Sequence, residues 1–391
     1  MTKNILWLPT WYPDRISPYN GDFIQRHARA VSEFHRVHVI YVVRDDKGKI
    51  TLDVKEEEFV TGGFYEKIVY YYTPHYKVKA IEKLISALKY RRIYKKKISE
   101  HFKNSGEPAL VHIHVALKSG RVARWVKKKF KVPYVISEHW TGYLPEAKDK
   151  FQNYPAYVKN AVRKTVREAS GISVVSDYLG SCLEKIFGPL QYKVIPNVVD
   201  TELFKPGVSE RKQVTQFIHI SGLDYQKDPE DILKAFEILK KNGFDFFLTV
   251  IGPPKDDLLK MTQQLGLAGQ VSFLSEMPQK DLVKFYQGAQ ALILYSRYET
   301  FGCVLIEANA CGLPVIVSNL QVFHEIIREN KDGIFVPGEN PLLLAERLSW
   351  FIRNQQQFDS SAIAIRSQSL YNYKTIGAQF SKWYSSVTGG L

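Results

Sequence analysis

Short apolar runs rich in Val, Ile and Phe alternate with longer segments of helical period along the whole chain. This alternation favours parallel strands joined by crossover helices, because parallel strands are buried on both faces and need a long connection. Six runs precede residue 200 and six follow it, so the sequence predicts two similar α/β sheets. The runs lie at 5–9, 37–43, 110–115, 133–137, 172–176, 192–196, 215–221, 246–252, 270–274, 291–295, 314–318 and 333–337.

The length of 391 residues agrees with two domains, since a single hydrophobic core rarely grows beyond about 250 to 300 residues. The segment 196–207 has Pro at each end and no sustained period, which places a hinge near 200–212. We therefore expect an N-terminal Rossmann-like domain over 1–200 and a C-terminal one over 201–370. The aromatic stretch 371–391 is expected to form a helix that packs back towards the N-terminal domain.

Composition places the chain among ordinary globular proteins. Hydrophobic residues make up 45% and charged residues 24% of the sequence, close to globular averages. No apolar run approaches the roughly 18 residues of a membrane-spanning helix, and the first residues lack the basic leader of a secretory signal. The 3 cysteines show no CxxC spacing, which argues against a disulfide framework or a zinc site. We expect a cytoplasmic protein with reduced thiols.

The positive charge is confined to the first half of the chain. Residues 1–200 hold 35 Lys and Arg against 20 Asp and Glu, whereas the remainder holds 19 against 20. This asymmetry indicates an anionic partner for the first half, and a membrane, a nucleic acid or an acidic ligand would satisfy it. The segments 77–103 and 127–131 suit peripheral contact with the inner face of an anionic membrane. The alternative for 77–103 is a solvated helix that packs its apolar stripe on the first sheet. That stripe consists of Ile81, Leu84, Ile85 and Leu88.

The segment SRYETFGCVLIEANACGLPVIVS at 296–318 carries the densest chemistry. Glu299 follows a predicted strand, and Glu307 lies eight residues later on the next predicted helix. Carboxylates accept hydrogen bonds from sugar hydroxyls, and free amides of Phe301 and Gly302 at the helix start suit a phosphate. One loop is therefore predicted to hold a sugar, a diphosphate and a ribose. Two solvated glutamates on a capped surface helix are the alternative.

Three further candidates follow strands of the predicted sheets, where ligands of open α/β sheets bind. Lys227, in SGLDYQKDP, is placed to neutralise a diphosphate leaving group. The alternative is a solvated lysine that simply precedes the start of a helix. His139, in VISEHW, is placed to bond a substrate hydroxyl, with a buried structural histidine as the alternative. Gly21 lies in the first loop, where backbone either approaches a phosphate closely or simply turns. The aromatic remainder of that loop is a candidate acceptor site.

In their order along the chain, these motifs resemble the retaining, nucleotide-sugar-dependent glycosyltransferases of the GT-B fold, specifically carbohydrate-active enzyme family 4. The resemblance runs nearly end to end, and its most specific part is ETFGCVLIEANACGLPVIVS at 299–318. It also includes His139, Lys227, PNVVD at 196–200 and VIG at 250–252. The fold that it implies is two Rossmann-like domains facing each other across a cleft.

The resemblance implies a role for each candidate residue. Glu299 would contact the hydroxyls of the donor sugar, and His139 would lie beside the reacting sugar. Glu307 would bind the ribose, and Lys227 the diphosphate. Such enzymes retain the anomeric configuration and need no divalent metal and no cofactor besides the nucleotide diphosphate sugar, which is their substrate. The donor-binding set is Gly21, Lys227, Arg297, Phe301, Gly302 and Glu307, of which Arg297 is our addition.

Arg297 enters because the chain departs from the family pattern at the phosphate site. The family usually has Arg five residues before the lysine, in a pattern like GRLxxxKG, whereas this chain has Gly222 in that place. We hypothesise that Arg297, two residues before Glu299, or the amides at the helix start supply the missing charge. The first loop also has a single Gly-Asp at 21–22 where the family has a pair of glycines.

The implied function is transfer of a hexosyl unit from a UDP- or GDP-linked sugar to a glycan or lipid-linked acceptor. Synthesis of a cell-surface polysaccharide or lipopolysaccharide is the expected pathway. A GT-B-like epimerase or phosphorylase, which needs no separate acceptor, stays open. A basic nucleic-acid-binding protein is the alternative from another class, because a net charge of +14 favours a phosphate backbone. No helix-turn-helix, zinc-finger or RNP-type sequence supports it, so we expect no nucleic-acid partner.

Overall fold

The protein folds into two α/β domains, each built on its own predominantly parallel sheet. A computed structural model describes residues 2–46, 48–50, 53–207 and 213–389. The predicted α/β class is confirmed, and a strand lies at each of the predicted apolar runs. Part of the predicted hinge, 208–212, lies outside the described residues.

The first sheet contains eight strands from the N-terminal half of the chain. They are β1 (Asn4–Pro9), β2 (Arg36–Arg44), β3 (Val54–Thr61), β4 (Phe64–Tyr71), β5 (Leu110–His114), β6 (Tyr134–Glu138), β7 (Gly171–Val174) and β8 (Tyr192–Val194). Their spatial order is β3-β4-β2-β1-β5-β6-β7-β8. Central β1 pairs in parallel with both neighbours, so that Ile5 lies opposite Val37 on one side and Leu110 on the other. The apolar run of β1 is therefore fully buried.

The hairpin of β3 and β4 at one edge of this sheet was not predicted from the sequence. β3 and β4 pair antiparallel around Gly62, whose φ of 60° lies in the left-handed region. The sequence of β3, VKEEEFVT, is exposed at almost every position. Charged side chains are typical of an edge strand, which must not pair with other chains. Because neither face of β3 is buried, no apolar alternation marked it as a strand.

In the described part of the chain, five α-helices cover the first sheet, and the longest of them corrects one expectation. They are α1 (Asp22–Ser32), α2 (Lys79–Ser105), α3 (Gly120–Phe130), α4 (Ala156–Glu168) and α5 (Asp177–Phe187). The predicted stripe on α2 does not pack on the sheet, because Ile81, Leu84 and Leu88 are 47%, 60% and 55% exposed. Neither α2 nor any other described helix is long and apolar enough to cross a membrane. The α2 residues that enter the core instead are Ile93, Tyr94, Ile98 and Phe102.

The second sheet contains six parallel strands. They are β9 (Thr215–Ile220), β10 (Phe246–Ile251), β11 (Val271–Leu274), β12 (Ala291–Leu294), β13 (Val315–Ser318) and β14 (Gly333–Val336). Their order is β11-β10-β9-β12-β13-β14. The direction of winding therefore reverses between β9 and β12. Such a switch point opens a crevice at the carboxyl ends of the two strands, where ligands bind.

Five helices cover the second sheet, and α6 begins as the sequence predicts. They are α6 (Pro229–Lys241), α7 (Asp256–Gln264), α8 (Gln279–Gly288), α9 (Cys303–Ala310) and α10 (Pro341–Asn354). Pro229 and two acidic residues occupy the first turn of α6, where the missing amide and the negative charge are favourable. Its buried face includes Ile232, Phe236 and Leu239.

The two last helices carry the chain back to the first domain. They are α11 (Ser360–Tyr371) and α12 (Tyr373–Val387). The chain turns between them at Asn372, whose side-chain oxygen accepts a 2.7 Å hydrogen bond from the Thr375 amide. α12 lies so close to α1 that a Cβ on Gly377 would come within 2.2 Å of the Ala30 carbonyl oxygen. The Tyr384 hydroxyl lies 2.6 Å from Nδ1 of His112 in the first sheet.

One continuous apolar cluster joins the two domains. It extends from the first sheet to the second and includes Val199, Phe204, Phe301 and Tyr371. Polar contacts cross the gap as well, since the Ser176 hydroxyl donates to the Thr300 carbonyl oxygen over 2.8 Å. The domains therefore stand in a closed arrangement with the carboxyl ends of their central strands near one another.

Candidate active site

The interdomain cavity, of about 280 Å³, opens where the loops after β9 and β10 face α1. The first domain contributes Tyr19, Asp22 and Arg26 to its walls. Its volume is near the lower limit of small-molecule sites. The polar or small residues that the second domain contributes are Ser221, Gly222, Gly252, Glu276, Gln279, Cys303 and Glu307.

Glu307 lies on α9 in the wall of this cavity and is only 4% exposed. Its Oε1 accepts a 2.6 Å hydrogen bond from Nη1 of Arg26, and its Oε2 accepts a 2.8 Å bond from the Tyr286 hydroxyl. Gln279 Nε2 also lies 3.5 Å from Oε1. A buried carboxylate needs such partners, because an unpaired buried charge is costly. The carboxylate predicted to bind a ribose is therefore held in a fixed orientation at the cavity.

Glu299 and Lys227, predicted separately from two loops, are in direct contact. Glu299 is 5% exposed, and its Oε1 forms an ion pair with the ammonium group of Lys227. The Ser296 hydroxyl donates to the same oxygen over 3.2 Å. The two loops follow β9 and β12, so the switch point brings their charged residues together. The pairing keeps one positive and one negative group ready at the same edge of the sheet.

The start of α9 lies between the two glutamates. Gly302 precedes the helix with a φ of 94°, and a Cβ there would meet the ring of Phe323 at 3.1 Å. The first amides of an α-helix have no partner within the helix, so this turn is suited to an anion. Phe301 is 3% exposed and belongs to the apolar cluster between the domains. Burial raises the pKa of the Cys303 thiol to about 12, so this group is neutral.

His139 follows β6 and reaches the same region from the first domain. It is 6% exposed, and its carbonyl oxygen accepts a 3.0 Å hydrogen bond from the Thr300 hydroxyl, next to Glu299. Burial, with the neighbouring His27 and His112, holds the pKa of His139 well below its ordinary value. Its Nδ1 has no partner among the described residues. The structure thus presents a neutral imidazole with one free nitrogen.

His139 belongs to a cluster of buried imidazoles that sequence analysis did not foresee. Ring nitrogens of His27, His114 and His139 lie within 4.8 Å of one another. The His27 ring bonds the Pro196 carbonyl oxygen over 3.0 Å through Nε2, and burial lowers its pKa to about 4. Three neutral imidazoles form a ligand set that zinc accepts. The prediction that no metal takes part stays a prediction.

Of the predicted site residues, Glu307 lines the interdomain cavity. The others do not; they are Gly21, His139, Lys227, Arg297, Glu299, Phe301 and Gly302. Arg297 lies 2.7 Å from carboxylate oxygens of both Asp228 and Glu339, and its guanidinium stacks on the ring of Tyr225. Its charge is balanced by these two carboxylates, and the idea that Arg297 replaces the family arginine stays a hypothesis. A Cβ on Gly21 would lie 2.6 Å from the Trp11 carbonyl carbon. Its close approach is therefore to its own chain.

Arg26 is the cavity residue that sequence analysis missed. It lies on the buried face of α1 with Ile24 and Ala28 and is 4% exposed. Burial lowers the pKa of its guanidinium, but the carboxylates of Asp22 and Glu307 more than offset this and raise it. A charged residue at an inward helix position is the signal that marks it, since buried charges need partners. Its partner lies 281 residues away.

A second, larger cavity of about 700 Å³ lies within the first domain, beside α2 and the loop after β1. We call it the first-domain cavity. Trp11 of the predicted acceptor loop lines it, as do the rings of Tyr41, Tyr71, Tyr90 and Tyr157. Burial lowers the pKa of its Lys118. The cavity thus combines aromatic walls with a strongly basic edge. Its basic residues are Arg44, Lys83, Arg91, Lys118 and Arg121.

Two family models match consecutive parts of the chain. Residues 22–203 match Glycosyltransferase Family 4, and residues 200–367 match Glycosyl transferases group 1. The first match begins at the start of α1 and the second ends within α11. Glu299, Glu307 and Lys227 fall within the second match, and His139 and Arg26 within the first.

Curated proteins similar to the chain include glycosyltransferases of bacteria and archaea. Over 266 residues the chain is 27% identical to D-inositol 3-phosphate glycosyltransferase of Acidothermus cellulolyticus, covering 62% of this chain and 59% of that protein. Over 139 residues it is 32% identical to an uncharacterized glycosyltransferase of Methanocaldococcus jannaschii, covering 35% and 36%. The matches to the first D-inositol 3-phosphate glycosyltransferases span 59 to 65% of their length.

Solved structures of similar fold cover nearly the whole chain. Sucrose-phosphate synthase from Thermosynechococcus elongatus superposes with a TM-score of 0.79 over 100% of both chains at 16% identity. HepE of Anabaena in complex with UDP-glucose gives 0.72 over 98% of this chain and 100% of its own, also at 16% identity. At this identity the likeness is one of fold. It confirms the predicted arrangement of two Rossmann-like domains.

Proposed function

Because the chain belongs to the group 1 glycosyltransferases, we propose that it transfers a hexosyl unit from a nucleotide diphosphate sugar to a separate acceptor, with retention of configuration. The observation that carries this proposal is the convergence of Glu299, Lys227 and Glu307 with the start of α9. Hydroxyl-reading carboxylates and a phosphate-binding helix start are the two requirements of such a donor.

In the proposed donor complex, Glu307 accepts hydrogen bonds from the ribose and Glu299 from the sugar. The diphosphate lies between them, against the first amides of α9 and the ammonium group of Lys227. UDP is our first choice of nucleotide, since HepE, which shares the fold, was solved with UDP-glucose. GDP is the second.

The proposed reaction breaks the bond between the anomeric carbon and the diphosphate oxygen. The acceptor oxygen bonds the anomeric carbon on the same face, and its proton passes to the leaving phosphate oxygen. Lys227 balances the charge that grows on the leaving group. His139 is neutral because burial lowers its pKa, so it offers a hydrogen bond to the sugar without adding positive charge beside a cationic transition state. We propose that no metal is needed.

The first-domain cavity is the proposed acceptor site. Its volume of about 700 Å³ and its aromatic walls suit a substrate larger than one sugar. Arg44 among its basic residues is paired with Asp46 and Glu82, and the other four, Lys83, Arg91, Lys118 and Arg121, suit an acceptor that carries phosphate. A second cavity for a second substrate favours a transferase over an epimerase, which needs none. We infer a lipid-linked acceptor, as in the synthesis of a cell-surface polysaccharide or lipopolysaccharide.

The exposed apolar face of α2 supports a membrane location for that acceptor. We call Val78, Ile81, Leu84 and Leu88 the α2 ridge; each is at least 47% exposed. Exposed cations flank the ridge, and near an anionic surface each contributes about 1 kcal/mol. Lys97 is not among them, because it is buried in ion pairs with Glu56 and Glu100. We propose that the α2 ridge and Lys128, Lys129 and Lys131 contact the inner face of an anionic membrane.

The donor assignment is tested by thermal stabilisation with UDP, GDP, ADP and their sugars in EDTA. A ligand at 100 times its Kd stabilises the folded state by about 2.7 kcal/mol. We expect one nucleoside diphosphate to raise the Tm of the wild type. Glu307→Ala should abolish the shift, whereas Glu346→Ala, at an exposed site on α10, should keep it. No shift with any nucleotide, or an equal shift for Glu307→Ala, would refute the donor site.

A further inference from the structure

The interdomain cavity has an unusual balance of charge for a diphosphate site. Its walls contain the carboxylates of Asp22, Glu276 and Glu307, and Arg26 is the only basic residue among the described residues that line it. Lys227 is not among the residues that line the cavity, and its ammonium group is already paired with Glu299. A diphosphate bound in this cavity would be repelled by these carboxylates, because all of the groups are negatively charged. The site therefore requires a cation within the cavity itself.

No side chain at position 222 supplies that cation. Gly222 lines the cavity, and a Cβ built there would find only Asp224 Oδ2, 3.7 Å away. Its φ lies outside the left-handed region, so a larger residue is free of backbone strain there. The space beside Gly222 is open, and the charge must come from another element.

Arg26 faces that space from the opposite domain. Its Nη1 donates to Glu307 over 2.6 Å, while its Nη2 lies 3.4 Å from Asp22, which is a weak contact. Its Nε has no partner among the described residues, although the side chain is 95% buried. The Nε and Nη2 groups form the edge of a guanidinium that binds phosphate oxygens in a bidentate manner. That edge is the part of Arg26 that Glu307 leaves free.

We propose that Arg26 binds the phosphate groups of the donor and so replaces, from the first domain, the cation that is missing at Gly222. This inference rests on the proposed function and adds to it a donor site shared between the domains. Nη1 keeps Glu307 in place for the ribose, while Nε and Nη2 bond the diphosphate. The donor phosphates are bound fully only when the domains are closed, because Arg26 and α9 belong to different domains.

The test compares nucleoside diphosphate and nucleoside affinities by calorimetry, using whichever of UDP, GDP and ADP stabilises the wild type most. Arg26→Gln keeps a donor for Glu307 but removes the charge and the bidentate edge. It should weaken the nucleoside diphosphate by about 10- to 100-fold and change nucleoside affinity by less than about 3-fold. Arg29→Gln, at an exposed position one turn later on α1, is the matched control and should change neither.

Gly222→Arg offers a rescue, because the position has room for a side chain. In the double variant Arg26→Gln and Gly222→Arg, diphosphate affinity should return to within about 5-fold of the wild type. If Arg26→Gln does not fold, Arg26→Lys replaces it and should weaken the diphosphate by about 5-fold or more through loss of the bidentate bond.

Two results would overturn the inference. One is unchanged diphosphate affinity in the folded Arg26 variant, and the other is an equal loss for nucleoside and nucleoside diphosphate, which would indicate a purely structural role. Both presuppose that the wild type binds a nucleoside diphosphate. Failure of the wild type to bind any of the three would instead refute the proposed function, so the two failures are distinguishable.

Discussion

The two domains meet at one cleft, but they furnish it with different chemistry. The second domain supplies charges held in pairs, with Lys227 against Glu299 and Glu307 against the incoming Arg26. Besides Arg26, the first domain supplies a cluster of neutral imidazoles, because burial lowers the pKa values of His27, His114 and His139. Paired charges suit a diphosphate, whereas uncharged imidazoles suit the hydroxyl-rich and transiently cationic side of a sugar transfer.

We therefore expect the two halves of the site to depend differently on pH. A buried imidazole stays neutral only because the fold excludes its charged form, and an acidic medium favours the unfolded chain, where it protonates freely. His219 is a buried imidazole of the second domain, with a pKa lowered to about 4 by burial, but the first domain holds more such groups and is therefore expected to be the more acid-sensitive one.

The largest effect we predict is selective unfolding of the first domain in acid. A histidine with a folded pKa of about 4, such as His27, loses its contribution as pH falls from 6.5 towards 4. For one such residue the loss at pH 5 is about 2 kcal/mol. His112, His114 and His139, also fully buried, act in the same direction. A loss of about 2 kcal/mol from His27 alone is already a sizeable part of a typical total stability of about 5 to 15 kcal/mol.

Tryptophan fluorescence reports the unfolding of the first domain. Of the 6 tryptophans, Trp350 alone lies on a helix of the second domain, while the others lie in the first or on α12. In urea titrations at pH 7 and pH 5, we expect the fluorescence midpoint to fall much further than the midpoint of a probe placed on the second sheet. Equal shifts of both midpoints would remove the asymmetry on which the comparison rests.

Much of the second-domain site could be predicted from sequence, because its parts are local. Glu299, Glu307 and the start of α9 fall within one short segment, and Lys227 follows the neighbouring strand. Glu299 and Lys227 follow strands whose positions the apolar runs give directly, and Glu307 lies on the helix that comes next. Only the contact between Lys227 and Glu299 required the structure, since it depends on which strands are neighbours in the sheet.

The first-domain half was harder to predict, because its features arise from tertiary contacts. Arg26 gains its role from Glu307, 281 residues away, so no local pattern reveals it. The imidazole cluster combines residues from α1, β5 and the end of β6. The α2 stripe was visible as a pattern, but periodicity does not say which face of a helix is buried. In the structure, Ile93 and Tyr94 are the α2 residues that are buried, in place of the stripe.

A second prediction concerns Glu138, the last residue of β6, which directly precedes His139. It is 1% exposed and accepts hydrogen bonds from the Ala116 amide and the Tyr143 hydroxyl. Burial raises its pKa to about 7. The pKa of Glu138 is higher in the folded than in the unfolded protein. Its contribution to the free energy of unfolding is therefore fully present at pH values below the unfolded pKa, and it is lost as pH rises from there through 7. Relative to Glu138→Gln, the wild type should therefore lose about 2 kcal/mol between pH 5 and pH 7.

Chemical denaturation of both proteins at several pH values measures this difference. Its sign is opposite to that of the histidines, so Glu138→Gln should make acid sensitivity of the first domain more pronounced. Glu346→Gln, exposed on α10 in the second domain, serves as the control and should show no such trend. A constant difference between Glu138→Gln and wild type across this range would mean that Glu138 is ionised in the fold.

The smallest predicted effect compares exposed apolar residues of the two domains. Leu84 and Leu88 belong to the α2 ridge, whereas Leu342 and Ile365 are 53% and 67% exposed on helices following the second sheet. Fully burying one such side chain contributes about 1.5 to 3 kcal/mol, and a membrane surface buries it only in part.

Leu84→Ser with Leu88→Ser should weaken binding to anionic vesicles by about 10-fold. The matched pair Leu342→Ser and Ile365→Ser should leave vesicle binding unchanged, because residues 201–391 hold 19 Lys and Arg against 20 Asp and Glu and so lack the net positive charge of the first half. Sedimentation with vesicles of rising phosphatidylglycerol content separates the two contributions, since the cations respond to lipid charge and the α2 ridge does not. If both pairs of substitutions weakened binding alike, the apolar contact would be non-specific, and only the charge asymmetry would distinguish the domains at a membrane.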